Sequence, residues 1–357
     1  MEANPFLGLI LHSIGGLAAA SFYLPYKLVK KWSWEAYWLV GGFFSWIVAP
    51  WLLAIVITPQ APEILLSVPL RTLALTWFFG VLWGVGGLTF GLTMRYLGIA
   101  LGYAIALGLC AAFGTLMPPL VSGELADVAM TTSGRVMLAG VLICLAGIAL
   151  SGKAGIRKEK ELTDEQKKAT VSEFNLVKGL FVAIFSGVMS ASMAYGFSTG
   201  KPIAEVSLKM NVPHLWQNLP VLIVVLLGGF TTNFIWCLYL IAKNKRVNEF
   251  YTCKLKDHKS PLLSNYIFCM MAGFTWYMQF FFYGMGSTKM GAFEFSSWTL
   301  HMASIIIFST LWGIFLKEWK GTGKATKIWI TSGLIVLILS TIVIGIGNKL
   351  AMDVVNY

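Results

Sequence analysis

The stretch "KAGIRKEKELTDEQKKATVSEFNLVK" (residues 153–178) is the only long polar segment in a chain of 357 residues, and what lies on either side of it decides the architecture. Apolar windows bounded by charged or proline-containing breaks fall at about 4–24, 36–58, 72–94, 98–121 and 134–152 before it. After it they fall at about 178–198, 215–242, 262–286, 291–315 and 327–348. These lengths match the roughly 20 residues an α-helix needs to cross a hydrocarbon core of about 30 Å. None alternates in the manner of a membrane β-barrel strand. The sequence therefore predicts an all-α membrane protein with ten transmembrane helices, five on each side of a solvated linker.

Composition agrees. With 57% hydrophobic residues, 12% charged residues and a mean hydropathy of +0.73, a soluble globular domain is excluded. The formal charge of +11 does not point to nucleic acid, because the basic residues sit in short segments between apolar runs instead of on one basic face. Of the 27 Lys and Arg, 21 fall in the first, third, fifth, seventh and ninth loops. The positive-inside rule puts those loops in the cytoplasm, so both termini are expected to be periplasmic and the chain to be a multi-pass protein of the cell inner membrane. The N-terminus, "MEANPFLGLILHSIGG", lacks a basic leader region and carries Glu2, so its apolar run reads as a retained first span. Five scattered cysteines, with no CxxC pair and no metal-ligand spacing, read as apolar fillers, and no metal or cofactor is expected.

Five spans on each side of the linker suggest an internal repeat. A shift of 193 superposes Gly80 on Gly273, Trp83 on Trp276, Phe90 on Tyr283, Gly91 on Gly284, Gly98 on Gly291 and Gly140 on Gly333. A shift of 171 superposes Gly8 on Gly179, Leu9 on Leu180, Gly16 on Gly187, Ala20 on Ala191 and Ser21 on Ser192. An odd number of spans makes the second copy enter from the opposite side, which gives two five-helix inverted repeats. The expected domains are residues 1–152, a cytoplasmic linker at 153–177, and residues 178–357.

Ionisable groups at bilayer depth cost at least about 2.5 kcal/mol each, so they face a cavity or a partner. In "GAFEFSSWTLHM" (291–302), helical spacing puts Glu294, Ser297, Trp298 and His301 on one face, with Ser304 beyond. On the first span, His12 is followed on its face by Gly15, Gly16, Ala19 and Tyr23. On the eighth, Trp276, Gln279 and Tyr283 share a face. Three helices thus bring polar or aromatic groups to similar depth. Rings, a carboxyl, an amide and imidazoles together suit a sugar: its CH faces pack on the rings and its hydroxyls meet the polar groups. Taken singly, His12, Trp276 and Trp298 read more plainly as helix packing and Gln279 reads either way, whereas Glu294 points to function, because a neutral amide could join helices without the cost of an ionisable group. At the cytoplasmic ends, Lys27, Glu35 and Arg95 read either as solvated anchors or as a gate.

The segments "HSIGG" (12–16), "KKWSWE" (30–35), "GLTMRYLG" (91–98), "EFNLVKGL" (173–180), "WYMQFFFYGMG" (276–286), "SWTLHM" (297–302) and "LKEW" (316–319) carry a resemblance across nearly the whole chain. The chain resembles the L-rhamnose/proton symporter family, within the drug/metabolite transporter superfamily. The resemblance implies a ten-helix inner-membrane carrier, not an enzyme, that takes up L-rhamnose together with H+ by alternating access. From the residues themselves, Glu294 is expected to couple the proton, with His301 as second choice. The sugar site draws on His12, Tyr23, Trp276, Gln279, Tyr283, Ser297, Trp298 and His301, and the cytoplasmic gate on Lys27, Glu35 and Arg95. The expected partners are L-rhamnose, H+ and the lipid bilayer, with no nucleic acid and no obligate protein partner. Two rivals stand beside it. A different carrier on the same scaffold could export metabolites or move nucleotide-linked sugars, and a diphosphate substrate would need cations in its cavity. A membrane transferase using Glu294 and His301 as acid and base has no nucleophile elbow, phosphate loop or metal motif to support it.

Overall fold

The computed structural model describes residues 3–97, 99–161, 176–251, 254–255, 258–259, 261–316, 319 and 321–355. Most of the expected linker, Gly98, Cys253, Lys317 and Glu318 lie outside the described residues. The described chain is helical, apart from a small antiparallel hairpin of β1 (Lys254–Leu255) and β2 (His258–Lys259). Among the described residues, eight helices are long and apolar enough to cross a membrane, and nine if a bent pair counts as one span. The α-helices are α1 (Pro5–Ser21), α2 (Tyr23–Tyr26), α3 (Trp34–Phe43), α4 (Ala49–Ile57), α5 (Ala61–Ser67), α6 (Leu70–Leu97), α7 (Ile99–Val121) and α8 (Glu124–Met130). They continue as α9 (Thr132–Glu161), α10 (Leu176–Thr199), α11 (Lys201–Lys209), α12 (Leu219–Lys243), α13 (Leu262–Ser287), α14 (Ser297–Phe315) and α15 (Lys324–Val355).

Three departures from the sequence reading have local causes. The span expected at 98–121 continues into α8 through a 99° bend, where Gly123 adopts a φ of 81° just after Pro118 and Pro119. Helix α9 runs on to Glu161, past the expected boundary at residue 152. Helix α13 has 26 residues and the length to span, but Asn265, Thr275 and Gln279 help to dilute its apolar character, and it is not among the eight.

The chain divides into two compact units: residues 1–17, 85–195 and 285–357 form one, and residues 18–84 and 196–284 the other. Each draws on both sides of the linker. Every boundary between them falls inside a helix: α1, α6, α10 or α13.

In the first unit, α9 and α15 pack antiparallel in a constant register, in which Met137 meets Gly347, Gly140 meets Ile344, Gly147 meets Leu337 and Ser151 meets Gly333. At Gly140 an added Cβ would lie 2.9 Å from the Ile344 nitrogen, and at Gly333 the same distance from the Ser151 nitrogen. Small residues let backbones approach this closely where lipid supplies no hydrophobic drive to associate. The same register continues past the bilayer. The Glu161 carboxylate at the end of α9 accepts the Gly323 N–H (2.8 Å) and the Thr326 hydroxyl (2.7 Å) at the start of α15. Elsewhere in this unit Gly16 of α1 packs on Ser304 of α14, and Gly187 of α10 on Leu109 and Ala106 of α7.

In the second unit, α3 and α4 form one span (Trp34–Ile57) interrupted by a π turn at Phe44–Val48. Pro50 has no N–H to offer the Trp46 carbonyl and crowds it, so the backbone relaxes into the wider turn. Gly80 of α6 meets the Val225 carbonyl of α12, and Gly273 of α13 meets the Gly41 carbonyl of α3. A core of Ile64, Val68, Ile203, Ala204 and Val221 holds α5, α11 and α12 together. The loop before α3 is stitched down: Asn265 accepts the Lys30 N–H (3.0 Å) and donates to the Lys30 carbonyl (2.8 Å), and Glu249 accepts the Ser33 N–H (2.6 Å).

The Gly323 N–H first, then the Thr326 hydroxyl, holds the Glu161 carboxyl below the usual carboxylate range. A lowered native pKa gives stability that is present above the unfolded value and is lost as pH falls through the native one. In detergent, Glu161→Gln is therefore expected to melt below the unmodified protein at neutral pH. The gap should close as the pH is brought down through the carboxylate range; a gap independent of pH would assign the loss to something other than this anion.

Candidate functional site

In the first unit the sequence-predicted polar stripe is built around the start of α14. The helix begins at Ser297, and Gly291–Ser296 before it forms a 3-10 turn broken at Phe293 (φ −111°, ψ 44°). Glu294 therefore sits on that turn, half-buried, and not on the helical face that carries Ser297, Trp298, His301 and Ser304. This corrects the expectation of one continuous helical stripe. The left-handed Gly291 (φ 65°) is the local cause of a new helix start.

Every residue from Ser296 to Ser304 is buried, so the first turns of α14 are enclosed on all sides. Three neighbours do this. Helix α7 supplies Cys110, whose carbonyl accepts the Trp298 indole N–H (3.0 Å), and Thr115, whose hydroxyl lies 2.6 Å from that of Thr299. Gly114 makes room for the Trp298 ring, which is only 2% exposed. Helix α15 supplies Asn348, which donates to Ser296 Oγ (3.1 Å) and so pins the 3-10 turn. Helix α1 supplies His12, fully buried, its ring centroid 6.4 Å from that of the equally buried His301. Gly286 faces the His12 ring, where a Cβ would lie 2.8 Å from Cε1. The His301 ring stands 6.3 Å from Trp298. Ser297 Oγ is buried with no hydrogen-bond partner among the described residues. The result is a compact cluster of two imidazoles and a hydroxyl, with a carboxylate on the turn above.

The other predicted site residues lie in the second unit and are joined there by rings the sequence reading passed over. Tyr23 stacks beside Trp38 (6.3 Å), Trp38 meets Trp46 (6.1 Å) and Trp46 meets Trp276 edge-on (5.4 Å, 85°). Trp276 continues to Phe280 (5.2 Å), and Phe280 to Tyr283 (6.4 Å), which packs on Phe197 (4.9 Å). Gln279 is buried beside this wall on α13. Phe22, Tyr26, Trp38, Gly42, Ser45, Trp46 and Trp276 line a narrow pocket. Of these only Trp276 was expected in the site; the signal for the rest was the density of aromatic residues around "SFYLPY", "YWLV" and "GGFFSW".

Of the expected gate residues, Glu35 is buried and accepts the Asn244 amide (2.8 Å), and Lys27 is exposed at the end of α2. The Arg95 side chain lies outside the described residues. Among the described residues no group of His, Cys, Asp and Glu is arranged to hold a metal.

Set beside known proteins, residues 1–350 match the family model described as L-rhamnose-proton symport protein (RhaT). Proteins named L-rhamnose-proton symporter from Yersinia pestis strain Pestoides F, Citrobacter koseri and Yersinia pseudotuberculosis are each 36% identical to this chain over 342 residues. The matched segment covers 96% of this chain and 97% of each relative.

The α1–α14 contact at Gly16 has no slack, because an added Cβ would lie 2.8 Å from the Ser304 carbonyl carbon. Gly16→Ala is expected to cost about 1–3 kcal/mol through overpacking and to move His12 off His301. Thermal melting in detergent checks this; a variant as stable as the unmodified protein would mean that the two helices are free to part.

Proposed function

Because the chain belongs to the L-rhamnose-proton symport family, we propose that it is a transporter, not an enzyme, which moves L-rhamnose together with a proton into the cell. The observation that carries this reading is the match itself, which runs along almost the full length of both this chain and its named relatives. The buried polar cluster and the aromatic wall give that reading its chemistry. The finer placement follows the drug/metabolite transporter superfamily: a cell inner-membrane protein of ten spans, with both termini periplasmic and no obligate protein partner.

Ten spans arise if α13 crosses the membrane together with the eight apolar helices and the bent α7–α8 pair. Two inverted repeats of five are supported by glycine contacts that are exchanged between the halves. Gly16 and Gly187, superposed by the 171 shift, pack on Ser304 of α14 and on Leu109 of α7. Gly80 and Gly273, superposed by the 193 shift, meet backbone carbonyls of α12 and α3. Gly140 and Gly333 meet backbone nitrogens of α15 and α9. In each pair, the first half's second helix takes the place of the second half's second helix, and likewise for the fourth and fifth. The unit boundaries within α1, α6, α10 and α13 fall in the first and third span of each half, which has the same symmetry.

The cycle runs by alternating access. Glu294 takes a proton from the periplasmic side, which removes the charge whose transfer through the membrane would be costly. Of the groups proposed to serve L-rhamnose, His12, Ser297, Trp298 and His301 belong to the first unit, and Tyr23, Trp276, Gln279 and Tyr283 to the second. Within its unit Trp298 holds the start of α14 on α7 and thereby sets the position of His301. The two repeats exchange conformations, the sugar and proton leave to the cytoplasm, and Lys27, Glu35 and Arg95 close that side. The loaded carrier crosses neutral, and the empty carrier returns with its carboxylate hydrated in the vacated cavity; sugar bound without a proton would seal an ionised carboxylate away from water, which raises the barrier to slippage.

In proteoliposomes with an inward pH gradient, the unmodified protein is expected to concentrate labelled L-rhamnose. Glu294→Gln is expected to lose accumulation while keeping exchange of labelled for unlabelled sugar. Accumulation by this variant under the same gradient would remove Glu294 from the coupling site, and the same assay on His301→Gln would then follow the proton to the imidazole.

A further inference from the structure

The aromatic pocket of the second unit holds a donor with no acceptor among the described residues. Trp46 is 4% exposed, and its indole Nε1 is buried with no hydrogen-bond partner among the described residues. The neighbouring Trp38 differs: its N–H donates to Asn233 Oδ1 at 3.1 Å, and Asn233 in turn donates to the Gly229 carbonyl. Buried N–H groups are almost always paired, so an unpaired one beside a pocket marks a place for an acceptor that the chain does not supply. At bilayer depth the cost is greater still, because lipid offers no acceptor.

The backbone around Trp46 is also unusual. The indole sits on the π turn at Phe44–Val48, and such turns are concentrated at functional sites. Two glycines clear space for the lining rings. A Cβ at Gly42 would lie 2.7 Å from Trp46 Cζ3, and one at Gly41 would strike the Tyr26 hydroxyl. The rings stand at steep angles: Trp46 meets Trp276 at 85° and Trp83 at 88°. The lining therefore offers ring surface from several sides and one unspent donor, with the Ser45 hydroxyl close by.

That combination fits a small guest with apolar CH faces and hydroxyl acceptors, and a charged or phosphorylated guest finds no cation in the lining. Resting on the symport reading above, we propose that this pocket is a binding site for the pyranose ring of L-rhamnose. The sugar packs a CH face among Trp38, Trp46 and Trp276, and one of its oxygens accepts the Trp46 Nε1–H. The pocket is narrow as it stands, so entry of the sugar spreads the rings. The assignment makes Trp46, absent from every sequence-based expectation, a determinant of sugar affinity.

Uptake of labelled L-rhamnose into proteoliposomes under an inward pH gradient tests it. Trp46→Phe keeps an aromatic ring and removes the donor. The expected result is a KM raised about five- to tenfold, the size of one lost buried hydrogen bond, with the maximal rate within about twofold of the unmodified protein. Trp276→Leu, which removes ring surface at the other wall, is expected to raise KM as well, and it serves if Trp46→Phe does not fold. Calorimetric titration of L-rhamnose into each purified variant should give matching losses of affinity. Unchanged KM and affinity in a folded variant, beside an active unmodified protein, would overturn the pocket assignment and leave the symport reading intact. No uptake by the unmodified protein would overturn both.

Discussion

A helix in lipid gains little by hiding apolar side chains from its surroundings, because the acyl chains it leaves are as apolar as the side chains it meets. Association has to come from close backbone approach and from polar groups that find partners. In this protein the first of these is carried by glycine. Glycine in a helix costs about 0.5–1 kcal/mol relative to alanine, so a helix that keeps one is compensated by what the missing Cβ allows. Here it allows the constant register of α9 on α15, the crossing of α1 over α14, and the approach of α6 to α12 and of α13 to α3. Both functional regions depend on it. Gly286 and Gly16 seat His12 near His301, and Gly41 and Gly42 make room for the Tyr26 and Trp46 rings.

How much of this could be read from the sequence depends on the range of the cause. Span positions were legible because the bilayer fixes the length of an apolar helix, and most windows found in the sequence coincide with helices. Helix α13 has the expected ends but a weaker apolar signal, since it carries the aromatic and amide groups proposed for the sugar site. What was not legible arises from breaks in regular geometry. Trp38 and Trp46 are eight residues apart, which on an ideal α-helix places them about 80° apart around the axis. The π turn widens the spiral between them and brings the spacing toward a heptad, so the two rings meet; only Pro50 hinted at it. The same kind of break removed Glu294 from the face of His301, and there Gly291 was the available sign.

Polar groups supply the second source of cohesion, and here the difference between spent and unspent groups separates scaffold from site. Thr115 with Thr299, Asn348 with Ser296, and Trp298 with the Cys110 carbonyl satisfy one another across helices. They hold α14 in place and have little hydrogen-bonding capacity left to offer a guest, so that Trp298 would meet one through its ring alone. Ser297 Oγ and Trp46 Nε1 are buried without hydrogen-bond partners among the described residues. A buried group in that condition is costly in the empty protein and becomes favourable when a hydroxyl-bearing guest completes it, so the cost of leaving it unpaired is converted into affinity.

Within the proposed repeat, the scaffold is duplicated but the chemistry is not. The 193 shift carries Glu294 to Leu101, Trp298 to Ile105, His301 to Gly108 and Gln279 to Gly86, and the 171 shift carries His12 to Ala183. The glycines at the crossings and the Trp83–Trp276 pair survive the comparison, and the titratable groups do not. This is the division a coupled carrier requires. Two copies of the scaffold with equivalent contacts allow two conformations of similar energy, so neither side of the membrane is a trap. A single copy of the carboxylate and imidazoles means that protonation acts on one place only. Were the carboxylate duplicated as well, two protons would be needed to clear the buried charge, and a single protonation would no longer lower the barrier.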